Sequence, residues 1–295
     1  MNILITGGTG FLGKECINSY STKHHIFATY RTNPGEEQNN VDWIKLDLTK
    51  EKEFTAAYDQ LKNENIDLIL HAGGATPNRA YADGNFYATT IGTKHLLNLA
   101  TELEIKKLIF ISSNCVTFKF KGEYANSKLT AEKDVKNYNL NYTIIRPETI
   151  IGKTAKDFNR VAKYVQSHRL FTLIGPGNNY SQPIDVNDLV GIIEFCFNNI
   201  NTNKKTYFAV GKDSLTTKQL LKKISSLKNR KLTILPIPKF LVLIIAFIVN
   251  KINPRLGLNK ERVEIMSYSR KYDSSEMDYY PENLKSIDEM INYLK

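Results

Sequence analysis

Tyr124-Ala125-Asn126-Ser127-Lys128 sets a phenol and an ammonium four residues apart. On a helix the two share one face, with Cβ atoms about 5 to 6 Å apart. A free phenol titrates near pH ~10, too high for easy proton exchange at neutral pH. A neighbouring cation favours the phenolate and draws that value toward the working range. Such a pair suits proton transfer to the alkoxide that forms when a ketone accepts a hydride. Ser113 follows the apolar run 108–112 and offers a hydroxyl to hold the same oxygen; Ser112 is a neighbouring candidate. Tyrosine and lysine at this spacing also arise on ordinary amphipathic helices, so the pair gains its meaning from what precedes it.

What precedes it is Thr6-Gly7-Gly8-Thr9-Gly10-Phe11-Leu12-Gly13, directly after the apolar run 2–6. Gly7, Gly10 and Gly13 recur every third residue. A sharp turn from strand to helix, with backbone N–H groups open to a pyrophosphate, needs positions without a Cβ. The strand, turn and helix context makes this a dinucleotide loop rather than a chance triplet. An acid after the second strand would bind a ribose 2′-hydroxyl. The sequence there is Thr29-Tyr30-Arg31-Thr32-Asn33, without an acid. Arg31 can pair with a 2′-phosphate, so NADP(H) is favoured and NAD stays open. Asp47 is placed either to accept from an adenine or to cap the helix that follows.

These groups need a frame. The short apolar run 2–6 and the segments 26–30, 41–46, 67–71, 108–112 and 142–146 read as strands, and helical patterns at 11–22, 51–63, 86–104 and 123–138 alternate with them. That rhythm gives an α/β fold, a Rossmann-like doubly wound parallel sheet with helices on both faces. The expected division is a dinucleotide-binding domain over 1–150 and a smaller substrate-binding region over 151–295, partly interleaved with the first. Helices are expected there at 157–168, 188–199 and 216–227, and strand-like pieces at 171–174 and 206–210. The run 240–249 is ten apolar residues flanked by Lys239 and Lys251. It is too short to span a bilayer, which takes about 20 apolar residues. A buried helix, or one packing against a second copy in a homodimer, is favoured over contact with a membrane surface.

Composition sets the outer limits. The chain has 295 residues, 42% hydrophobic and 24% charged, an ordinary globular mixture with ample core. A net charge of +10 favours anionic partners such as dinucleotides and nucleotide-linked substrates. No nucleic-acid-binding motif accompanies it. Cys16, Cys115 and Cys196 fit neither a metal-ligand spacing nor a disulfide framework, so no metal is expected and a reducing cytoplasm is the expected setting. Residues 1–6 lack the basic start of a secretory leader.

The ordered motifs resemble an extended short-chain dehydrogenase/reductase of the NAD-dependent epimerase/dehydratase family. They are TGGTGFLG (6–13), LDL (46–48), HAGG (71–74), IGTKHLL (91–97), IFISSNCV (109–116), YANSKLTAE (124–132), IIRPETIIG (144–152), IDVNDLV (184–190), FAVGKDSLTTKQL (208–220) and DYYPENLKSIDEMI (278–291). The resemblance implies Ser113 as catalytic hydroxyl, Tyr124 as acid/base, and Lys128 as tuner of the tyrosine and ribose ligand. The expected cofactor contacts are Gly7, Thr9, Gly10, Phe11, Leu12, Gly13, Arg31, Asp47, Leu48, Ala72, Gly73, Lys128 and Pro147. Three departures stand out. Thr89 occupies a place often held by asparagine, Tyr124 comes only 11 positions after Ser113, and Tyr180-Ser181-Gln182-Pro183 lacks the arginine that commonly grips a substrate pyrophosphate.

The leading expectation is an NAD(P)-dependent oxidoreductase reducing a keto group of a nucleotide-linked sugar, of the 4-keto sugar reductase type. The alternatives are a nucleotide-sugar 4-epimerase with retained NAD, a reductase of a lipid-like or other small carbonyl substrate, and a non-catalytic dinucleotide-sensing module. Dehydration ranks last among the sugar chemistries, because Ser113-Asn114-Cys115 brings no acid/base pair.

Overall fold

The computed structural model describes residues 1–75, 86–253, 258–272 and 283–295. Two compact units divide the chain. One holds Met1–Val116, Gly122–Arg146 and Val190–Tyr207, the other Thr117–Lys121, Pro147–Leu189 and Phe208–Lys295.

Strands β1 (Asn2–Thr6), β2 (His25–Tyr30), β3 (Val41–Lys45), β4 (Leu68–His71), β5 (Lys107–Ile111) and β6 (Asn141–Pro147) form the sheet of the first unit. They run in the order β3-β2-β1-β4-β5-β6, each neighbouring pair parallel, and β11 (Lys205–Ala209) lies beside β6. Ile3, Leu4, Ile5, Leu68, Ile69 and Leu70 are fully buried. Sheets covered on both faces demand such continuous apolar runs. Helices α1 (Phe11–Tyr20), α2 (Glu51–Leu61), α3 (Tyr87–Glu102) and α4 (Glu123–Asn137) connect the strands. Leu96 and Leu97 of α3 and Ala131 and Val135 of α4 share one core with Leu4, Ile69, Phe110 and Ile144 of the strands. β1 lies between β2 and β4, so the strand order reverses there. In such sheets the crevice outside the carboxyl ends of the two central strands is where ligands bind.

The second unit has a core of its own, with Ile151, Ala162, Val165, Leu221, Ile224 and Met290 among its members. Short strand pairs frame it. These are β7 (Ile150–Ile151) with β10 (Ile184–Asp185), β8 (Leu170–Ile174) with β13 (Thr233–Ile237), and β9 (Tyr180–Ser181) with β12 (Leu215–Thr216). Its helices include α5 (Lys156–Ser167), α7 (Thr217–Ser226) and α10 (Ile287–Ile291), while α6 (Val186–Asn198) starts in this unit and continues into the first. Capping boxes start α7 at Thr216 with Gln219 and α10 at Ser286 with Glu289. Residues 278–282 of the late motif lie outside the described residues.

The apolar run 240–249 lies within α8 (Lys239–Ile252), followed by α9 (Lys260–Met266). The expectation that this run is buried within the chain is corrected. Ala246 is the only buried residue of α8, because α9 lies along one side and the opposite face is left to solvent. Among the described residues no helix is long and apolar enough to cross a membrane.

Candidate functional site

The glycine turn follows β1. Gly7 takes φ +74°, and a Cβ there would lie 2.8 Å from Gly73 Cα. A Cβ on Gly13 would lie 2.2 Å from Gly7 O, so α1 presses against the turn only because that position is bare. Gly10 differs. A Cβ there meets one atom, Gly7 O at 3.0 Å, and is otherwise in open space. Thr9 and Gly10 are exposed, Phe11 is half-buried and Leu12 is buried. The N–H groups of Gly7 and Gly8 are taken by Thr29 Oγ1 and O, at 3.2 and 3.0 Å. Gly10 is the N-cap of α1 without a side-chain cap, and the first turn carries no acid. The helix end therefore keeps its partial positive charge and its N–H groups for an anion. This cradle fits a dinucleotide pyrophosphate.

The end of β4 forms the adjoining wall. His71 is fully buried and lies opposite Thr6 in the β1–β4 register. Its Nδ1 is 2.6 Å from Thr6 Oγ1 and its Nε2 is 3.0 Å from Thr93 Oγ1. Thr6 Oγ1 accepts from Gly73 N–H at 3.2 Å, and the Thr93 hydroxyl donates to Thr89 O. With its proton given to Thr89 O, Thr93 Oγ1 must accept from Nε2–H, which leaves Nδ1 of the neutral ring to accept from Thr6. Thr89 Oγ1 accepts from Ala75 N–H at 3.0 Å. A directed chain of hydrogen bonds thus fixes 73–75 beneath the cradle, and burial pushes the His71 pKa down to about 3. Thr89, the departure from the family's asparagine, is a working part of this chain. Ala72 is half-buried; Gly73 is buried, and a Cβ on it would lie 2.8 Å from Leu48 Cδ1. Leu48 thus supports the wall from behind.

The structure separates the two serines. Ser112 Oγ donates to Glu132 at 2.6 Å, and that buried carboxylate also takes Nε and Nη2 of Arg146, at 2.8 and 2.6 Å. Ser112 is therefore committed to structure. Ser113 is half-buried; its Oγ accepts from Cys115 N–H at 3.3 Å, which leaves the hydroxyl proton to give. Tyr124 and Lys128 lie on the first turns of α4, and the Tyr124 ring lies 6.4 Å from that of Phe86. Lys128 is buried, with Nζ donating to Ile111 O at 2.9 Å and lying 5.1 Å over the Phe110 ring. A Cβ on Gly74 would lie 3.6 Å from that Nζ, so the ammonium reaches the β4 wall. Burial lowers the Lys128 pKa to about 8. It remains a cation at neutral pH and is poised to lose that charge just above.

Arg31 is exposed immediately after β2. Asp47 is not a helix cap: Lys50 is the N-cap of α2, and Asp47 Oδ1 instead accepts from Thr49 N and Oγ1 at 3.0 and 2.8 Å. This local turn competes successfully for the carboxylate. Pro147 ends β6 and is buried. Cys16, Cys115 and Cys196 are buried and free, and no cluster of potential metal ligands occurs among the described residues.

Sequence reasoning missed Thr6, Thr29, His71, Glu132 and Glu148. Glu148 follows Pro147 in the second unit, where it holds Ser181 Oγ with both oxygens at 3.1 Å and Gln182 N at 3.0 Å. Burial raises its pKa. The segment ahead of 184–186, where an arginine was absent, is thus tied to a carboxyl group.

Over 206 residues the chain is 24% identical to a 3-beta-hydroxysteroid dehydrogenase from Mycolicibacterium neoaurum, covering 60% of this chain and 55% of that one. It is 22% identical over 267 residues to UDP-glucose 4-epimerase from Vibrio cholerae, covering 80% and 79%. The chain thus spans about half the length of the first relative and most of the second. The crystal structure of dTDP-glucose 4,6-dehydratase from Bacillus anthracis superposes with a TM-score of 0.70 at 17% identity, covering 99% of this chain and 96% of that one. Residues 3–211, which carry the glycine cradle, the serine, the tyrosine and the lysine, match the profile of one family of enzymes. The chain belongs to the NAD dependent epimerase/dehydratase family.

Proposed function

We propose that the chain is a dinucleotide-dependent oxidoreductase that interconverts a secondary alcohol and a ketone on a lipid-like substrate lacking a pyrophosphate. The observation that carries the chemistry is the buried Lys128 ammonium, held at Ile111 O on the helix that also bears Tyr124. Bound dinucleotide would supply or accept the hydride. Gly7 and Gly13 shape the turn whose open end, Thr9, Gly10, Phe11 and Leu12, would hold its pyrophosphate, and Ala72 and Gly73 would border it. Lys128 steadies the phenolate of Tyr124 and reaches the ribose. The Tyr124 phenol gives its proton to the substrate oxygen during reduction and takes it back during oxidation. The Ser113 hydroxyl orients that oxygen.

The choice of substrate rests on Tyr180-Ser181-Gln182-Pro183, which brings no arginine to the place just ahead of 184–186. The likeness to a steroid dehydrogenase agrees with an apolar alcohol. A second reading, a nucleotide-linked sugar as substrate of a 4-epimerase or 4-keto reductase, is supported by the longer match to UDP-glucose 4-epimerase. The test is dinucleotide turnover with steroid 3-ketones and alkyl 3-oxo acids against UDP- and dTDP-linked sugars. Turnover of the apolar ketones is expected; turnover confined to the sugars, with tightly retained NAD, would establish the second reading.

A further inference from the structure

Helix α8 carries a face that neither the fold nor the proposed chemistry uses. Phe240, Leu241, Ile244, Ile245, Phe247 and Ile248 are all exposed, from 41% for Leu241 to 62% for Phe247, and Ile252 at the end reaches 79%. At about 100° per residue these positions fall within one arc of roughly 160°. Ala246 falls on the opposite side of the helix and is buried. Exposed apolar residues are ordinary when scattered, but a continuous face of this width marks a docking surface.

We propose that this face docks on the surface of an anionic lipid bilayer, with α8 lying in the plane of the headgroups. The distribution of charge selects that occupant. α8 contains no Asp or Glu. Lys239 at its start is paired with Glu264 of α9 at 2.7 Å. Lys251 lies inside the apolar arc near the other end, its Nζ 4.7 Å over the Phe247 ring. A lysine so placed can run its stem along apolar surface and lift its ammonium to lipid phosphates. In a two-fold pair of α8 helices the same lysine meets either its own copy or the end bearing Lys239. The helix supplies no carboxylate for it in either arrangement. The net charge of +10 adds attraction to an anionic leaflet. At 14 residues α8 is about 21 Å long, short of the ~30 Å hydrocarbon core, so it lies on the bilayer rather than across it.

Flotation of the full chain with vesicles of phosphatidylcholine, with and without phosphatidylglycerol, tests this inference independently of the substrate. The wild type is expected to float with the anionic vesicles, and Lys251→Glu to weaken that binding. Ile244→Asp/Phe247→Asp, at two exposed positions, should reduce it by about tenfold or more with circular dichroism unchanged. Should the double variant misfold, a Phe247→Cys variant labelled at its exposed thiol with an environment-sensitive dye gives a second readout. Its emission should shift to the blue on anionic vesicles and be quenched by lipid-borne nitroxide. A wild type that stays with the unbound fraction, or a dye that does not respond, overturns the proposal. A dimer that the Asp substitutions split, without vesicle binding, would assign the face to a second copy instead.

Discussion

His71 accepts a hydrogen bond of 2.6 Å from Thr6 and so ties the end of β4 to the end of β1, directly beneath the glycine cradle. The two strand ends that border the proposed dinucleotide site are held by one neutral imidazole. Its pKa, pushed by burial from 6.5 to about 3, turns this arrangement into a pH dependence. Between those values the unfolded chain binds a proton that the folded chain refuses, so stability rises with pH across the window and falls as pH drops through it. The loss from pH 7 to pH 5 should be about 2 kcal/mol from this group. His71→Gln should be less stable at pH 7 but show a flatter acid limb in denaturant titrations. Parallel acid limbs for wild type and variant would sink the idea.

The alternating strands of the first unit are legible in sequence because a strand buried on both faces must be a continuous apolar run, and 2–6 or 108–112 can be little else. The cradle is legible because its geometry forbids side chains at Gly7 and Gly13. The relay at His71 is not. Thr6 and His71 are 65 residues apart and meet only once the β1–β4 register is known. Ser112 and Ser113 are equivalent on paper, and only the contact to Glu132 separates them. The second unit is less legible because β7, β9, β10 and β12 have two residues each, too few for any period to show. The run 240–249 misled for a related reason: apolar sequence reports that a face seeks a partner, not that the chain supplies one.

Gly10 and Gly13 make opposite predictions despite their equal spacing. Gly10→Val needs a slight adjustment near Gly7 O and projects its side chain into the open cradle. It should fold normally and lose dinucleotide affinity by about tenfold or more, as read by fluorescence or calorimetric titration. Gly13→Ala places its Cβ 2.2 Å from Gly7 O and should lower thermal stability first. Undiminished affinity in a folded Gly10→Val would remove the pyrophosphate from this loop.

Arg31, exposed after β2 with no acid in the following turn, should distinguish the two dinucleotides. Losing one charge-assisted contact to a 2′-phosphate costs on the order of 1.5 to 3 kcal/mol. Arg31→Ala should therefore weaken NADP(H) by about one to two decades and leave NAD(H) unchanged. A wild type that binds NAD(H) more tightly than NADP(H) would show that Arg31 plays no such part.

Lys128 is held at a cost to the fold. Its pKa falls from 10.5 to about 8 through burial, so the unfolded chain binds the proton more tightly. The sign is opposite to that of a salt-bridged lysine. The penalty is constant below pH 8 and fades as pH rises from about 8 toward 10.5. It amounts to about 3 kcal/mol, part of which the bond to Ile111 O returns. Lys128→Met should be inactive yet more stable than wild type at pH 7, and the difference should shrink by pH 10. A variant less stable than wild type at pH 7 would mean that the ammonium supports the fold rather than the site.

Tyr124, Ser113 and Ser112 together decide whether the site works as proposed. Tyr124→Phe removes only the hydroxyl from a ring that lies beside Phe86. It should cut turnover by about 10² to 10⁴, the usual worth of a positioned acid/base, while dinucleotide affinity holds. Ser113→Ala should act in the same direction, because the lost hydroxyl orients the substrate oxygen, with little change in unfolding temperature. Ser112→Ala should behave in reverse. It leaves Glu132 buried with Arg146 but short of one donor, which costs stability of about 1 to 3 kcal/mol and spares the chemistry. The contrast between the two serines is the sharper test, since any nonspecific damage to the end of β5 would impair both alike. Steady-state turnover and thermal unfolding on the three purified variants supply the comparison. Equal losses of turnover at Ser112 and Ser113 would mean that the hydroxyl chemistry has been assigned to the wrong residue. Turnover within about twofold of wild type in Tyr124→Phe would reduce the tyrosine and its lysine to a structural pair on α4.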